Sequence, residues 1–126
     1  MLWQLIKSKM LENPTKIICD ENNSITYIDM INTVDSFSKN LNQNKYGIMC
    51  NSELSTAIAI LSCFAAGVVA VPLSIRYGEN HYNNIIENIE LSNFITDESG
   101  ILKIKTILPK FHLTFLLRKN NTLNLS

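Results

Sequence analysis

The chain has 126 residues, 46% of them hydrophobic and 17% charged, which suits one folded domain and excludes a disordered chain. Eleven basic residues balance eleven acidic ones, so the formal net charge is zero. No basic stripe is present, which argues against a nucleic-acid partner, and the near-zero charge removes one safeguard against self-association.

Leu2 to Glu12 has helical spacing, with Leu2, Leu5, Ile6 and Met10 toward one face and Lys7, Ser8 and Glu12 away from it. Asn13-Pro14 stops that helix. Lys16-Ile17-Ile18-Cys19 and Ser24-Ile25-Thr26 read as two strands around the turn Asp20-Glu21-Asn22-Asn23, a β-hairpin. Thr26 with Asp29 makes a capping signal for a second helix. Its apolar face carries Tyr27, Met30, Ile31, Val34, Phe37 and Leu41.

The run from Tyr46 to Ser74 then reads strand, helix, strand. Tyr46 to Cys50 is the first strand, and Asn51-Ser52-Glu53 opens the helix. Leu54, Ala57, Ile58, Leu61, Phe64 and Ala65 make one helix face, and Ile60 and Cys63 make the other side apolar too. A helix apolar nearly all round is buried on more than one side. Gly67 suits the left-handed residue that ends it. Val68 to Val71 suits an internal parallel strand, which Pro72 stops. Two parallel strands joined this way form a βαβ unit.

Ser74 to Gly78 is a loop, and Glu79 to Ser92 is a third amphipathic helix with Tyr82, Ile85, Ile86 and Ile89 inward. Asn93 to Thr96 is a short strand, and Asp97 to Gly100 is a turn. Ile101 to Ile104 alternates like a strand; Thr106 to Leu117 is apolar but interrupted by Pro109 and Lys110; Arg118 to Ser126 is polar and expected to fray.

Cys19, Cys50 and Cys63 are odd in number, widely spaced and set in apolar runs. With no Cys-x-x-Cys pair or Cys/His cluster, they read as buried thiols in a reducing cytoplasm, not as a zinc site. The N-terminus is too short and polar for a secretory signal. The longest apolar stretch, Ala57 to Leu73, is broken by Ser62, Gly67 and Pro72 and falls short of the ~20 residues a bilayer helix needs. The expectation is a cytoplasmic protein with no membrane partner.

Three segments in order resemble the N-terminal part of the adenylate-forming (AMP-binding) superfamily, which includes acyl- and aryl-CoA synthetases and adenylation domains of nonribosomal peptide synthetases. Asn13-Pro14-Thr15-Lys16-Ile17-Ile18 is similar to that family's first strand. Ile25-Thr26-Tyr27-Ile28-Asp29-Met30 resembles its Thr-Tyr-x-Glu-Leu segment, with Asp29 for Glu and Met30 for Leu. Ile48 to Glu53, followed by Phe64 to Leu73, resembles its Lys-Ala-Gly-x-x-x-Val-Pro-Leu stretch, with Ala65 where Lys is common.

The resemblance covers residues 1–98 as the N-terminal part of an AMP-binding domain and leaves 99–126 as a divergent tail. It implies an α/β fold, a partial layered subdomain with a short β-hairpin and a βαβαβ segment. The family uses ATP and Mg²⁺ to activate a carboxylic acid as an acyl-adenylate, commonly for transfer to a thiol of CoA or a carrier protein. Its phosphate loop is rich in Ser, Thr and Gly. Here Gly47, Gly67, Gly78 and Gly100 each stand alone, so none can form a cradle of backbone N–H groups. The resemblance therefore implies a fragment that is catalytically incomplete alone, with no catalytic, cofactor-binding or metal residue assigned. Its expected partner is the remainder of a split or truncated ligase, or a second copy through exposed apolar faces. The alternatives are a stand-alone interaction module with the same partial fold and an unrelated small nucleotide-binding α/β protein.

The remaining chemical candidates have plainer readings. His81 and His112 lack a nucleophile in a motif. Glu87 with Glu90, and Asp97 with Glu98, pair carboxylates but read as solvated charge. Arg76-Tyr77 follows a parallel strand, where open α/β sheets bind ligands, yet one Arg is not a phosphate site. Asn51-Ser52-Glu53 has the form of a ligand cradle at a helix N-terminus, and helix capping is the simpler account. Lys103, Lys105 and Lys110 have no matching context and receive no role.

Overall fold

The computed structural model describes residues 1–74, 79–98, 100–102, 113–117 and 123–125. The chain opens with α1 (Leu2–Leu11), a hairpin of β1 (Ile17–Cys19) and β2 (Ser24–Thr26), and α2 (Tyr27–Ser38). There follow β3 (Lys45–Ile48), α3 (Glu53–Ala66), β4 (Val69–Pro72), α4 (Glu79–Ile89) and β5 (Asn93–Asp97). Two further strands, β6 (Leu113–Leu117) and β7 (Leu123–Leu125), complete the order. The hairpin is a separate antiparallel pair, and the main sheet runs β4-β3-β5-β6-β7. Strands β4, β3, β5 and β6 are parallel, and β7 is antiparallel to β6. The α/β architecture, the hairpin and the βαβαβ run of β3 to β5 are as expected from the sequence.

Successive strand residues alternate between two cores, as a pleated sheet requires. Tyr46, Ile48 and Ile95 join Trp3 of α1, Val34 and Phe37 of α2 and Ile58 and Cys63 of α3. Met49 and Phe94 face the other way, against Tyr82 and Ile86 of α4. Each large side chain so buried contributes about 1.5–3 kcal/mol. Gly47 lies on the α4 side, where a Cβ would stand 2.6 Å from the Phe94 ring and 2.7 Å from Leu91. The missing side chain is what lets Phe94 cross β3.

Several expectations are corrected. The inward face of α1 carries Trp3, which is 1% exposed, while Leu5 is 69% exposed and Leu2 is exposed as well. Trp3 decides the rotation because it is the largest apolar body on the helix and its indole N–H has a partner. That N–H donates to Asp35 Oδ1 of α2 at 2.8 Å, and Lys7 donates to Asp35 Oδ2 at 2.5 Å. Lys7, expected to point away, therefore lies between the two helices. Burial raises the Asp35 pKa, but hydrogen bonds from Lys7 and Trp3 and the Lys7 charge outweigh it and hold the carboxyl below its ordinary value.

Strand β4, expected inside the sheet, is its edge, and Val69 is 59% exposed. Val69 N–H donates to Asn44 and Leu73 N–H to Ile48, both at 2.9 Å. The alternation of a parallel ladder then turns Ala70 and Pro72 outward, so Pro72 lacks an N–H only where no strand requires one.

Cys19 is exposed, because β1 belongs to a two-stranded hairpin with only Ile18 facing inward; Cys63 is buried and Cys50 half-buried. Phe64, expected on an apolar face of α3 with Leu54, Ala57, Ile58, Leu61 and Ala65, is exposed; the buried arc is Leu54, Ile58, Ala59, Ser62 and Cys63.

Beyond β5, Ile101 and Leu102 are helical and not the start of a strand, and residues 103–104 lie outside the described residues. Leu123–Leu125, expected to fray, pairs with β6.

Candidate functional site

Strand β4 pairs on one side of β3, and the chain then crosses to place β5 on the other side. The sheet thus reverses its direction of growth between β3 and β5. In open α/β sheets such a reversal opens a ligand crevice outside the carboxyl ends of the strands. In this chain that place is bounded by Met49 to Ser52 after β3, Thr96 and Asp97 ending β5, and Gly100.

Asp97 occupies it. The residue is only 6% exposed, its Oδ1 accepts from the N–H groups of Asn51 (3.0 Å) and Gly100 (2.8 Å), and its Oδ2 accepts from Ser52 N–H (2.8 Å). Thr96 Oγ1 donates to the Met49 carbonyl at 2.7 Å. A Cβ at Gly100 would lie 2.4 Å from Thr96 Oγ1 and 2.7 Å from the Met49 carbonyl oxygen. Glycine is required there by close approach.

A second carboxylate arrives from the hairpin turn. Asp20 Oδ1 accepts from Asn22 and Asn23 N–H, which closes the turn, and Oδ2 accepts from Ser52 Oγ (2.7 Å) and Leu54 N–H (2.9 Å). Ser52 Oγ in turn accepts from Ser55 N–H at 3.1 Å, the N-cap bond. The Ser52 hydroxyl and the Leu54 N–H hold the Asp20 carboxyl well below the ordinary carboxylate range, burial opposes this, and the Asn22 and Asn23 N–H groups add to the lowering.

The N–H groups of Asn51, Ser52, Leu54 and Ser55 are therefore all taken by the chain's own oxygens. A helix N-terminus attracts phosphate because such groups are free and the dipole favours negative charge. Here two carboxylates and a hydroxyl already meet both conditions. The capping account of Asn51-Ser52-Glu53 stands. The described glycines offer no substitute: Gly47 lies under Phe94, Gly67 ends α3 with φ +72°, and Gly100 packs on Thr96. Among the described residues, no three His, Cys, Asp or Glu side chains converge to hold a cation. These residues do not fit the triphosphate and Mg²⁺ that an adenylate-forming enzyme handles.

Burial, with the nearby Asp97 charge, pushes the Cys50 thiol well above its usual pKa, and burial alone pushes Cys63 up to about 11. Glu87 and Glu90 are exposed on and just beyond α4, and Glu98 is exposed while Asp97 is buried, so neither pair forms a shared site. His81 is exposed near the start of α4. Arg76, Tyr77, His112, Lys103, Lys105 and Lys110 lie outside the described residues. Asp20 had been read only as turn chemistry. Its reach to α3 across 32 and 34 residues carries no local signal.

No helix among the described residues is long and apolar enough to cross a membrane. No protein-family model matches the chain. The equisetin synthetase of Fusarium heterosporum is 29% identical over 122 residues, spanning 86% of this chain and 3% of the synthetase. Among solved structures, IdnL1 superposes with a TM-score of 0.79 at 15% identity, covering 98% of this chain and 26% of its own. CmiS6 gives 0.79 at 12% identity, covering 99% and 32%. A benzoate CoA ligase from Burkholderia xenovorans LB400 gives 0.75 at 14% identity, covering 93% and 25%. The chain thus spans about a quarter to a third of the length of these solved proteins. Over that part, its fold is the fold of adenylate-forming enzymes, the group of CoA ligases and nonribosomal peptide synthetase adenylation domains.

Proposed function

We propose that this chain is the N-terminal scaffold of an adenylate-forming ligase, whose complete form activates a carboxylic acid as an acyl-adenylate for transfer to a thiol. The observation that carries this reading is the near-complete overlay of the chain on one part of such an enzyme, 98% of it on IdnL1. The three sequence segments that resemble the family support it, since they fall on β1, on α2 and on the β3–α3–β4 unit. In this reading the chain's own residues build rigid support. Asp97 and Asp20 lock the start of α3, and the parallel strands hold the frame on which the rest of the ligase is assembled. In this reading ATP and Mg²⁺ belong to the complete enzyme, and no described residue is assigned a part in holding them.

The test is ATP–pyrophosphate exchange by the purified chain with a panel of aliphatic, aromatic and amino acids. No exchange is expected with any of them. Exchange by this chain alone would overturn the reading. Reading the DNA after the Ser126 codon in all three frames is the companion test, and a Ser/Thr/Gly-rich phosphate loop is the expected find.

A further inference from the structure

We infer that α1 is a strap that lifts off the rest of the fold as a unit, swinging at Glu12 and Asn13, with the Asp35 carboxylate as its catch. Helix α1 lies against α2 and α3. Of its ten residues only Trp3 is fully buried, whereas α2 and α3 bury five each. Ile6 and Met10 are half-buried, and Leu2, Leu5 and Leu11 are exposed. An element with so few buried contacts sits at the low-stability end of a fold and opens ahead of the remainder.

One side chain, Asp35, receives both polar groups that α1 extends toward α2, the Trp3 indole N–H and the Lys7 ammonium. The Lys7 and Asp35 side chains are 30% and 37% exposed, so water screens the ion pair and it adds little by itself. The indole N–H matters more, because removing its acceptor leaves a buried donor unpaired. At the other end of α1, Met10 borders an open groove of about 350 Å³ with Ile18, Tyr27, Ala57 and Leu61, so the last turn forfeits packing there. The place of the swing follows from the backbone. The Pro14 carbonyl accepts from Ile28 N–H at 2.9 Å and the Lys16 carbonyl from Tyr27 N–H at 2.8 Å, which pins the chain to the start of α2 from Pro14 onward. Glu12 and Asn13, both exposed, are left to take up the rotation. Release uncovers the apolar seam of α2 and α3 that Trp3 otherwise seals.

Trp3 is the one tryptophan of the chain, so its emission follows α1 by itself. The test is urea unfolding of the full chain, read by Trp3 emission and by far-UV circular dichroism. In the wild type the emission is expected to shift to the red at lower urea than the main loss of helical signal. Asp35→Ala should raise the released fraction of α1 about tenfold or more, moving the emission midpoint down while the circular-dichroism midpoint stays in place. Ile86→Val, on α4 in the other core, should do the reverse, lowering the circular-dichroism midpoint and leaving the emission midpoint unchanged. Coincident transitions in the wild type overturn the inference, because α1 then unfolds only with the whole. It is equally overturned if either variant moves both midpoints together, or if Asp35→Ala abolishes the cooperative circular-dichroism transition.

Discussion

The C-terminal end of α3 is finished by Gly67 and its immediate neighbours. Gly67 takes φ +72°, its N–H reaches the Phe64 carbonyl, and Val68 N–H reaches Cys63 at 3.0 Å. The N-terminal end has its local Ser52 cap and is also held from a distance, by Asp20 of the hairpin and by Asp97 of β5, across 32 to 46 residues. One end is a local backbone motif that any helix can carry. The other ties three elements of the fold to a single turn of helix, at the place where open α/β sheets otherwise receive ligands. A switch point can thus serve as an internal joint when the chain fills it with its own carboxylates.

Breaking the distant end should have the larger consequences. Asp97→Ala leaves the N–H groups of Asn51, Ser52 and Gly100 without their acceptor in a buried setting. A loss of about 3 kcal/mol in urea-unfolding stability is expected, since each unsatisfied buried group costs about 1–3 kcal/mol before relaxation. Gly100→Ala comes next, because its methyl would meet the Met49 backbone oxygen, which cannot rotate away. About 1–3 kcal/mol is expected for such overpacking.

Asp20→Asn sharpens the comparison through pH. The folded-state pKa of Asp20 is lowered, so its contribution is complete above the unfolded carboxylate value, about 4, and is lost as pH falls through the folded value. The stability difference between wild type and Asp20→Asn, measured by denaturant unfolding at a series of pH values, should be constant near neutrality and shrink below about pH 4. A difference that grows on acidification would remove Asp20 from this role. The smallest effect belongs to the local end. Gly67→Ala meets no atom within 4 Å, so only the left-handed backbone opposes it. About 1 kcal/mol is expected by the same unfolding measurement. A loss at Gly67 exceeding that at Asp97 would invert the comparison.

The ends of α3 also show what can be read from a chain before it folds. Gly67, Thr26 as the cap of α2, the hairpin and the β3–α3–β4 unit were legible because their causes lie within a few residues or follow a fixed period. Thr26 Oγ1 does accept from Asp29 N–H, at 3.2 Å. Period alone misassigned half of the α1 stripe. Ile6 and Met10 do pack on the core, but Leu2 and Leu5 are exposed, because Trp3 and its partner Asp35, 32 residues away, set the rotation. Phe64 shows a related limit: on a helix apolar nearly all round, pattern cannot say which apolar residue stays exposed.

The sequence by itself determined the element types as far as β5, the parallel crossover and the resemblance to adenylate-forming enzymes, because local propensity and spacing encode these. Only the tertiary structure decided that β4 is an edge, that Asp20 and Asp97 meet at one helix turn, and that Phe64 is the apolar residue of α3 left exposed. Those facts depend on which strands become neighbours, and contacts across 30 to 50 residues leave no periodic trace in the chain that makes them.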